Sequence, residues 1–124
     1  LNAADPEYRR ALGWARRYRA RRVRELAIQH GGELSAGVCA MITSSALDMA
    51  ASRYLSALAA RTGDPAVMAQ ASKLGQSSRQ QELTALDVAA REAETRKAAG
   101  GGMTPNEALR LALEAEEARA RVTT

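Results

Sequence analysis

The chain has 124 residues, a net charge of +4, 28 alanines, no phenylalanine and four aromatic residues in all. That length allows one domain, or one domain with a tail, and so few large apolar side chains give each helix little area to bury. A lone cysteine (Cys39) and a lone histidine (His30) exclude an internal disulfide and a cysteine-built metal site.

The charge is unevenly spread. Residues 1–24 hold eight arginines against Asp5 and Glu7, a balance of +6, whereas residues 25–99 and residues 100–124 each sum to −1. The excess cation therefore lies in the first helix.

Asp5-Pro6 is a start signal, an N-cap followed by proline at the first helical position. The spacing predicts a helix over Pro6–His30, stopped by Gly31-Gly32. At 100° per residue, Tyr8, Ala11, Leu12, Ala15, Tyr18, Val23 and Leu26 share one arc. Arg9, Arg10, Arg16, Arg17, Arg21 and Arg24 share the opposite arc, with Trp14 at the boundary. Arg19 and Arg22 fall near the apolar side, placed to snorkel or to pair with carboxylates of the next helices.

Ser35 caps a second helix, and no proline follows until Thr62-Gly63-Asp64-Pro65. Gly63 suits a left-handed helix end, and Asp64-Pro65 restarts the chain as an N-cap and first position. A third helix then runs from Pro65 to Ala99. So short a link between two long helices forces an antiparallel hairpin over Ser35–Ala99. Ser44, Ser45, Ser52 and Ser56 are expected to pack, bonding back to carbonyls of their own helix. On the third helix Val67, Leu74, Gln81 and Val88 recur at heptad spacing, flanked by Ala71, Ser78 and Ala85, and Leu83, Leu86 and Ala90 form a second row. Two rows predict two packing surfaces, one of them for the second helix and the other for the first helix or another copy. The stretch Gln76–Gln81 is expected as a solvated middle, or as register-setting hydrogen bonds in an oligomer.

Gly100-Gly101-Gly102 reads as a flexible linker. Thr104-Pro105-Asn106-Glu107 is a capping box opening a short acidic helix to about Val122. The fold class is thus all-α: a basic N-terminal helix, a long antiparallel hairpin and a short C-terminal helix. Residues 1–99 form the helical domain, and residues 100–124 the linker and last helix.

No catalytic constellation stands out: no phosphate loop, no paired histidines, no Cys–His pair and no Glu-x-x-His spacing. The one enzyme class considered uses arginines contributed across a dimer, here Arg53, Arg61 and Arg79. The expectation is a non-enzyme with no catalytic residue, no metal and no cofactor. The longest uncharged run, Leu34–Leu47, falls short of the roughly 20 residues needed to span a bilayer. No signal-peptide pattern is visible, so a cytoplasmic location without membrane association is expected. Arginine forks bind phosphate oxygens bidentately, so Arg9, Arg10, Arg16, Arg17, Arg21 and Arg24, with Trp14, are the candidate nucleic-acid-binding residues. Tyr8, Trp14 and Tyr18 would either stack on bases or anchor the helix. The alternative is a basic face paired with acids of a neighbouring subunit, such as Glu92 and Glu94.

The run from Glu33-Leu34-Ser35 through Gly63-Asp64-Pro65 to Ser78-Arg79-Gln80 and Arg91-Glu92-Ala93-Glu94 resembles small terminase subunits of tailed phages and prophages. Those are ring-forming helical proteins that recognise viral DNA and regulate a large packaging motor. The resemblance implies a homo-oligomer in which Pro6–His30 contacts DNA, Ser35–Ala99 oligomerises and Thr104–Val122 contacts the large terminase-like motor. The family commonly carries a helix-turn-helix, where this chain has a single arginine helix. The runner-up is a helical adaptor that binds only protein partners, through its first and last helices.

Overall fold

A computed structural model describes residues 4–100 and 105–123. Those residues form four helices and no strand: α1 (Pro6–Gln29), α2 (Ala36–Thr62), α3 (Pro65–Gly100) and α4 (Pro105–Thr123). Thr104, the expected cap of α4, and Gly101-Gly102 of the linker lie outside the described residues; α3 itself continues to Gly100.

The helix ends are where local chemistry puts them. Asp5 accepts from the Glu7 N–H at 2.9 Å, and Ser35 Oγ from the Val38 N–H at 3.2 Å. His30 caps the end of α1, as its position suggests. Gly31 then takes φ +67, and the N–H groups of Gly31 and Gly32 return to the carbonyls of Ile28 and Ala27. This paired return closes the helix and reverses the chain. Gly63 ends α2 at φ +68 with a single return of its N–H to the Ala59 carbonyl at 2.7 Å, and Asp64 Oδ1 caps α3 through the Ala66 N–H at 2.9 Å. The link between the hairpin arms is therefore Gly63-Asp64 alone. At 1.5 Å per residue the arms are about 40 and 54 Å long.

The seam of the hairpin corrects the heptad reading. The buried row of α3 is Ala71, Gly75, Ser78, Ala85, Ala89 and Ala93. Val67, Leu74, Gln81 and Val88 are half-buried beside it, and Leu83 of the second row is 66% exposed. The reason is steric. Small residues let the two backbones approach, and the larger side chains must then lie to either side. At Gly75 an added Cβ would come within 3.2 Å of Ser52 Oγ, which explains a glycine in the interior of a helix.

The close approach also redirects the serines. Ser45 Oγ donates to the Ser78 carbonyl at 2.8 Å, and Ser78 Oγ donates to the Ser45 carbonyl at 2.8 Å. Ser52 Oγ donates to the Ala71 carbonyl at 2.7 Å. These three bonds run between helices rather than back along one, contrary to expectation. Back-bonding is left to threonines such as Thr43, Thr62, Thr84 and Thr95. The polar middle of α3 is likewise not merely solvated. Ser77 Oγ and Gln81 Nε2 both donate to Asp48 Oδ2, at 2.9 and 2.7 Å, so the register-setting bonds are made inside the hairpin.

The six-residue turn from His30 to Ser35 lays α1 antiparallel to α2. Leu26 enters a cluster with Val38 and Ile42 of α2 and Ala85 and Ala89 of α3, flanked by Val23, Leu34, Met41, Leu86 and Val88. Full burial of Leu26 contributes about 2 kcal/mol. Farther along, Ala15 packs on Ala46 and Ala50. Among the described residues no helix is long and apolar enough to cross a membrane.

Candidate nucleic-acid interface

The docked side of α1 is held by long polar and aromatic side chains that reach past the small-residue contact. Tyr18 Oη donates to Glu82 Oε1 at 2.6 Å, and Arg22 Nε donates to the same oxygen at 3.1 Å. Burial, then the Glu82 carboxylate, raises the Tyr18 phenol above its ordinary value. Arg19 Nε donates to Thr43 Oγ1 at 2.6 Å. The expectation that Arg22 pairs with a hairpin carboxylate is met by Glu82.

At the other end of α1, Tyr54 Oη donates to Asp5 Oδ2 at 2.6 Å, and Arg61 Nη1 meets Glu7 Oε2 at 2.6 Å. The Tyr54 hydrogen bond, followed by the Glu7 N–H, lowers the Asp5 carboxyl below its ordinary value; the same bond raises Tyr54. These contacts fix which way α1 faces.

What faces outward is the arginine arc. Arg9, Arg10, Arg16, Arg17, Arg21 and Arg24 are all exposed, on the side opposite Ala15 and Leu26. Arg21 is partly engaged, 3.7 Å from Glu25 and over the Tyr18 ring at 5.7 Å. The side chains of Arg10, Arg16, Arg17 and Arg24 have no ion-pair or hydrogen-bond partner among the described residues. Nearby acids are committed elsewhere: Glu82 to Tyr18 and Arg22, Glu7 to Arg61, and Asp48 to Ser77 and Gln81. Glu92, a suggested partner from a neighbouring copy, accepts from Ser35 Oγ at 2.9 Å within its own chain.

The aromatic residues of α1 are placed differently from an open stacking surface. Tyr8 packs edge-on against Tyr54 at 5.3 Å. Trp14 stacks on Tyr18 at 5.2 Å, and the Arg53 guanidinium lies 3.9 Å from its ring centroid. Trp14, expected at the edge of the arginine face, thus has its ring already in contact with two neighbours. All three rings of α1 anchor the helix.

No family model, no curated protein and no solved structure matches the chain.

Other candidate chemistry is dispersed. Arg61 is bound to Glu7, Arg53 lies on Trp14, and Arg79 stands exposed beside Ser78. Among the described residues no cluster of His, Cys, Asp and Glu could hold a metal ion. An apolar groove lies between residues 32–35 and the last turns of α3, around Leu34 and Val88. Its polar groups bond to each other: Ser35 to Glu92, and Arg96 Nη1 to the Glu33 carbonyl at 2.8 Å. It serves as the joint that closes the α1–α2 turn onto α3.

The residue that sequence reasoning missed at this surface is Arg53. It sits on α2, and only the antiparallel register of α1 and α2 brings it to Trp14. The short His30–Ser35 turn was the available signal. On α4, Leu109, Leu111 and Leu113 are 61, 41 and 53% exposed, so α4 presents apolar as well as acidic residues outward.

Proposed function

We infer that this protein is a non-enzymatic, homo-oligomeric nucleic-acid-binding protein whose α1 lies along a DNA backbone. The observation that supports this best is the set of four arginines, Arg10, Arg16, Arg17 and Arg24, on one exposed face without counter-charge, on a helix clamped at both ends. Arginines held this way meet phosphate oxygens without first losing an internal partner. Exposure of Ile28 at 75% and Leu83 at 66% favours association between copies, which would cover them. The biological setting we favour is that of a small terminase: DNA recognition and regulation in phage DNA packaging. In that setting the exposed α4 is the segment offered to a large terminase-like motor.

A second reading, a helical adaptor for protein partners alone, draws on the uncovered leucines of α4. DNA binding as a function of salt separates the two. Four phosphate contacts give a slope of log affinity against log salt of about −3.6 or steeper, roughly a 150-fold loss between 50 and 200 mM. Fluorescence anisotropy with a labelled duplex measures it, and absence of binding at low salt would leave the adaptor. Native mass adds the oligomeric state: a closed ring fits the packaging setting, and a monomer contradicts the homo-oligomer.

A further inference from the structure

Arg53 is the one cation of the hairpin that reaches the α1 surface by lying on an aromatic ring. Its guanidinium stands 3.9 Å from the Trp14 centroid, it is exposed, and it has no ion pair or hydrogen bond among the described residues. Stacking of this kind occupies the plane of a guanidinium and leaves its N–H edge free.

The neighbours of Trp14 on α1 carry the same charge. Arg10 and Arg17 lie four residues before it and three after, positions that share one helix face with it. The Arg17 head lies over Gly13, where an added Cβ would be 3.5 Å from Arg17 Nη1, one residue from Trp14. Two arginines thus share the helix face of the indole and a third lies on its ring, while Glu82, Glu7, Asp5 and Asp48 are already bonded to other groups. Like charges gathered without a counter-ion are unfavourable alone and become favourable when an anion enters. The Tyr18 ring, fixed through Glu82, backs the indole and keeps the platform in place.

We propose that Arg10, Arg17 and Arg53 form a phosphate site built on the Trp14 ring, in which Arg53 carries the nucleic-acid contact from α1 onto the hairpin. Trp14 acts as the platform that orients Arg53, and not as a surface for base stacking. This rests on the nucleic-acid reading above and adds to it a residue on α2 and a role for the indole. The chemistry recognised is a phosphate oxyanion, whether in a nucleic-acid backbone or free in solution.

Trp14 is the sole tryptophan, so its emission reports on the site directly. The experiment compares wild type, R53A and R53K in two titrations: a labelled duplex of about 20 base pairs followed by anisotropy across a salt series, and inorganic pyrophosphate followed by Trp14 emission. Circular dichroism checks that each variant keeps its helices, as substitution of an exposed residue should allow.

The expected result is that R53A lowers duplex affinity several-fold and makes the salt slope shallower by about 0.9, one phosphate contact. R53K is expected to keep the slope, because it keeps the charge, but to bind more weakly than wild type because it loses the fork on the ring. Duplex binding is expected to shift Trp14 emission in wild type and to leave it unchanged in R53A. Wild-type binding with an R53A slope and affinity equal to it would overturn the site while leaving the nucleic-acid reading standing. Quenching of Trp14 by a single strand that outcompetes the duplex would overturn the platform role in favour of base stacking. A saturable pyrophosphate response without duplex binding would support the phosphate site and defeat the nucleic-acid reading. No response to either ligand would defeat both.

Discussion

Two of the helix contacts of this fold, α2 with α3 and α1 with the hairpin, are built on opposite principles. Between α2 and α3 the buried row of α3 is alanine, glycine and serine, and the bonds at its centre join neutral hydroxyls to carbonyls, Ser45 with Ser78 and Ser52 with Ala71. Between α1 and the hairpin the small contact of Ala15 on Ala46 and Ala50 is bordered by charged and phenolic groups: Tyr18, Arg22, Glu82, Asp5, Tyr54, Glu7 and Arg61. The buried centre of the first contact has nothing in it that titrates and no room for change; its one carboxylate, Asp48, lies at the margin with Ser77 and Gln81. The second tolerates substitution at its rim and responds to charge. A rigid hairpin thereby carries a helix whose other side is free to be covered with arginines.

The largest break in that comparison is expected inside the seam. Ser78→Leu forces a branched side chain between backbones already in close contact and removes the bond that Ser78 Oγ donates to the Ser45 carbonyl, costing about 3 kcal/mol or more. Chemical denaturation should find the whole helical signal shifted, because the hairpin carries everything else. A change confined to Trp14 emission would mean that the hairpin is not the foundation of the fold.

A smaller effect is expected at the rim. Glu82→Ala leaves Tyr18 and Arg22 without their shared acceptor and costs about 1–2 kcal/mol. Trp14 emission, which senses Tyr18 and Arg53, should respond at a lower denaturant concentration than the total helical signal. Coincident transitions would show α1 and the hairpin to be one cooperative unit even when loosened.

The smallest effect is that of pH. Asp5 is lowered, so its contribution is present above its unfolded value of about 4 and fades as pH falls through the folded one. Tyr18 and Tyr54 are raised, so their contribution is present below about pH 10 and fades as pH rises through their folded values. Attachment of α1 is therefore expected to be flat in between and to weaken only at the two extremes. Trp14 emission across the range checks this, and a transition at intermediate pH would contradict it.

The helix ends were fully legible in sequence because each depends on a few adjacent residues: Asp5-Pro6, Ser35, and Gly63-Asp64-Pro65. The outward arc of α1 was legible for the same reason, since periodicity alone separates Arg10, Arg17 and Arg24 from Ala15 and Leu26. The α3 seam was legible only in part: Ala71, Ser78 and Ala85 stood out as flanks of the heptad row, not as the contact itself. Heptad spacing singles out large residues such as Val67 and Leu74, but the closest approach in an alanine-rich hairpin runs through its small ones. Arg53 was not legible either, because its contact with Trp14 spans 39 positions of sequence and depends on the α1–α2 register. The serines were misjudged for a related reason: whether a hydroxyl bonds back or across is decided by the distance to the neighbouring helix.

The most direct test of the arginine face compares two triple variants that remove the same net charge. One is Arg10, Arg17 and Arg24 to alanine on α1; the other is Lys73, Arg79 and Arg91 to alanine, all exposed on α3. Duplex binding is measured by anisotropy over a salt series. Phosphate contacts by α1 predict that the first variant loses most of its affinity, with its slope shallower by about 2.7, while the second stays within a few-fold of wild type. Equal losses in both variants, or no loss in the first, would contradict the assignment of nucleic-acid binding to α1.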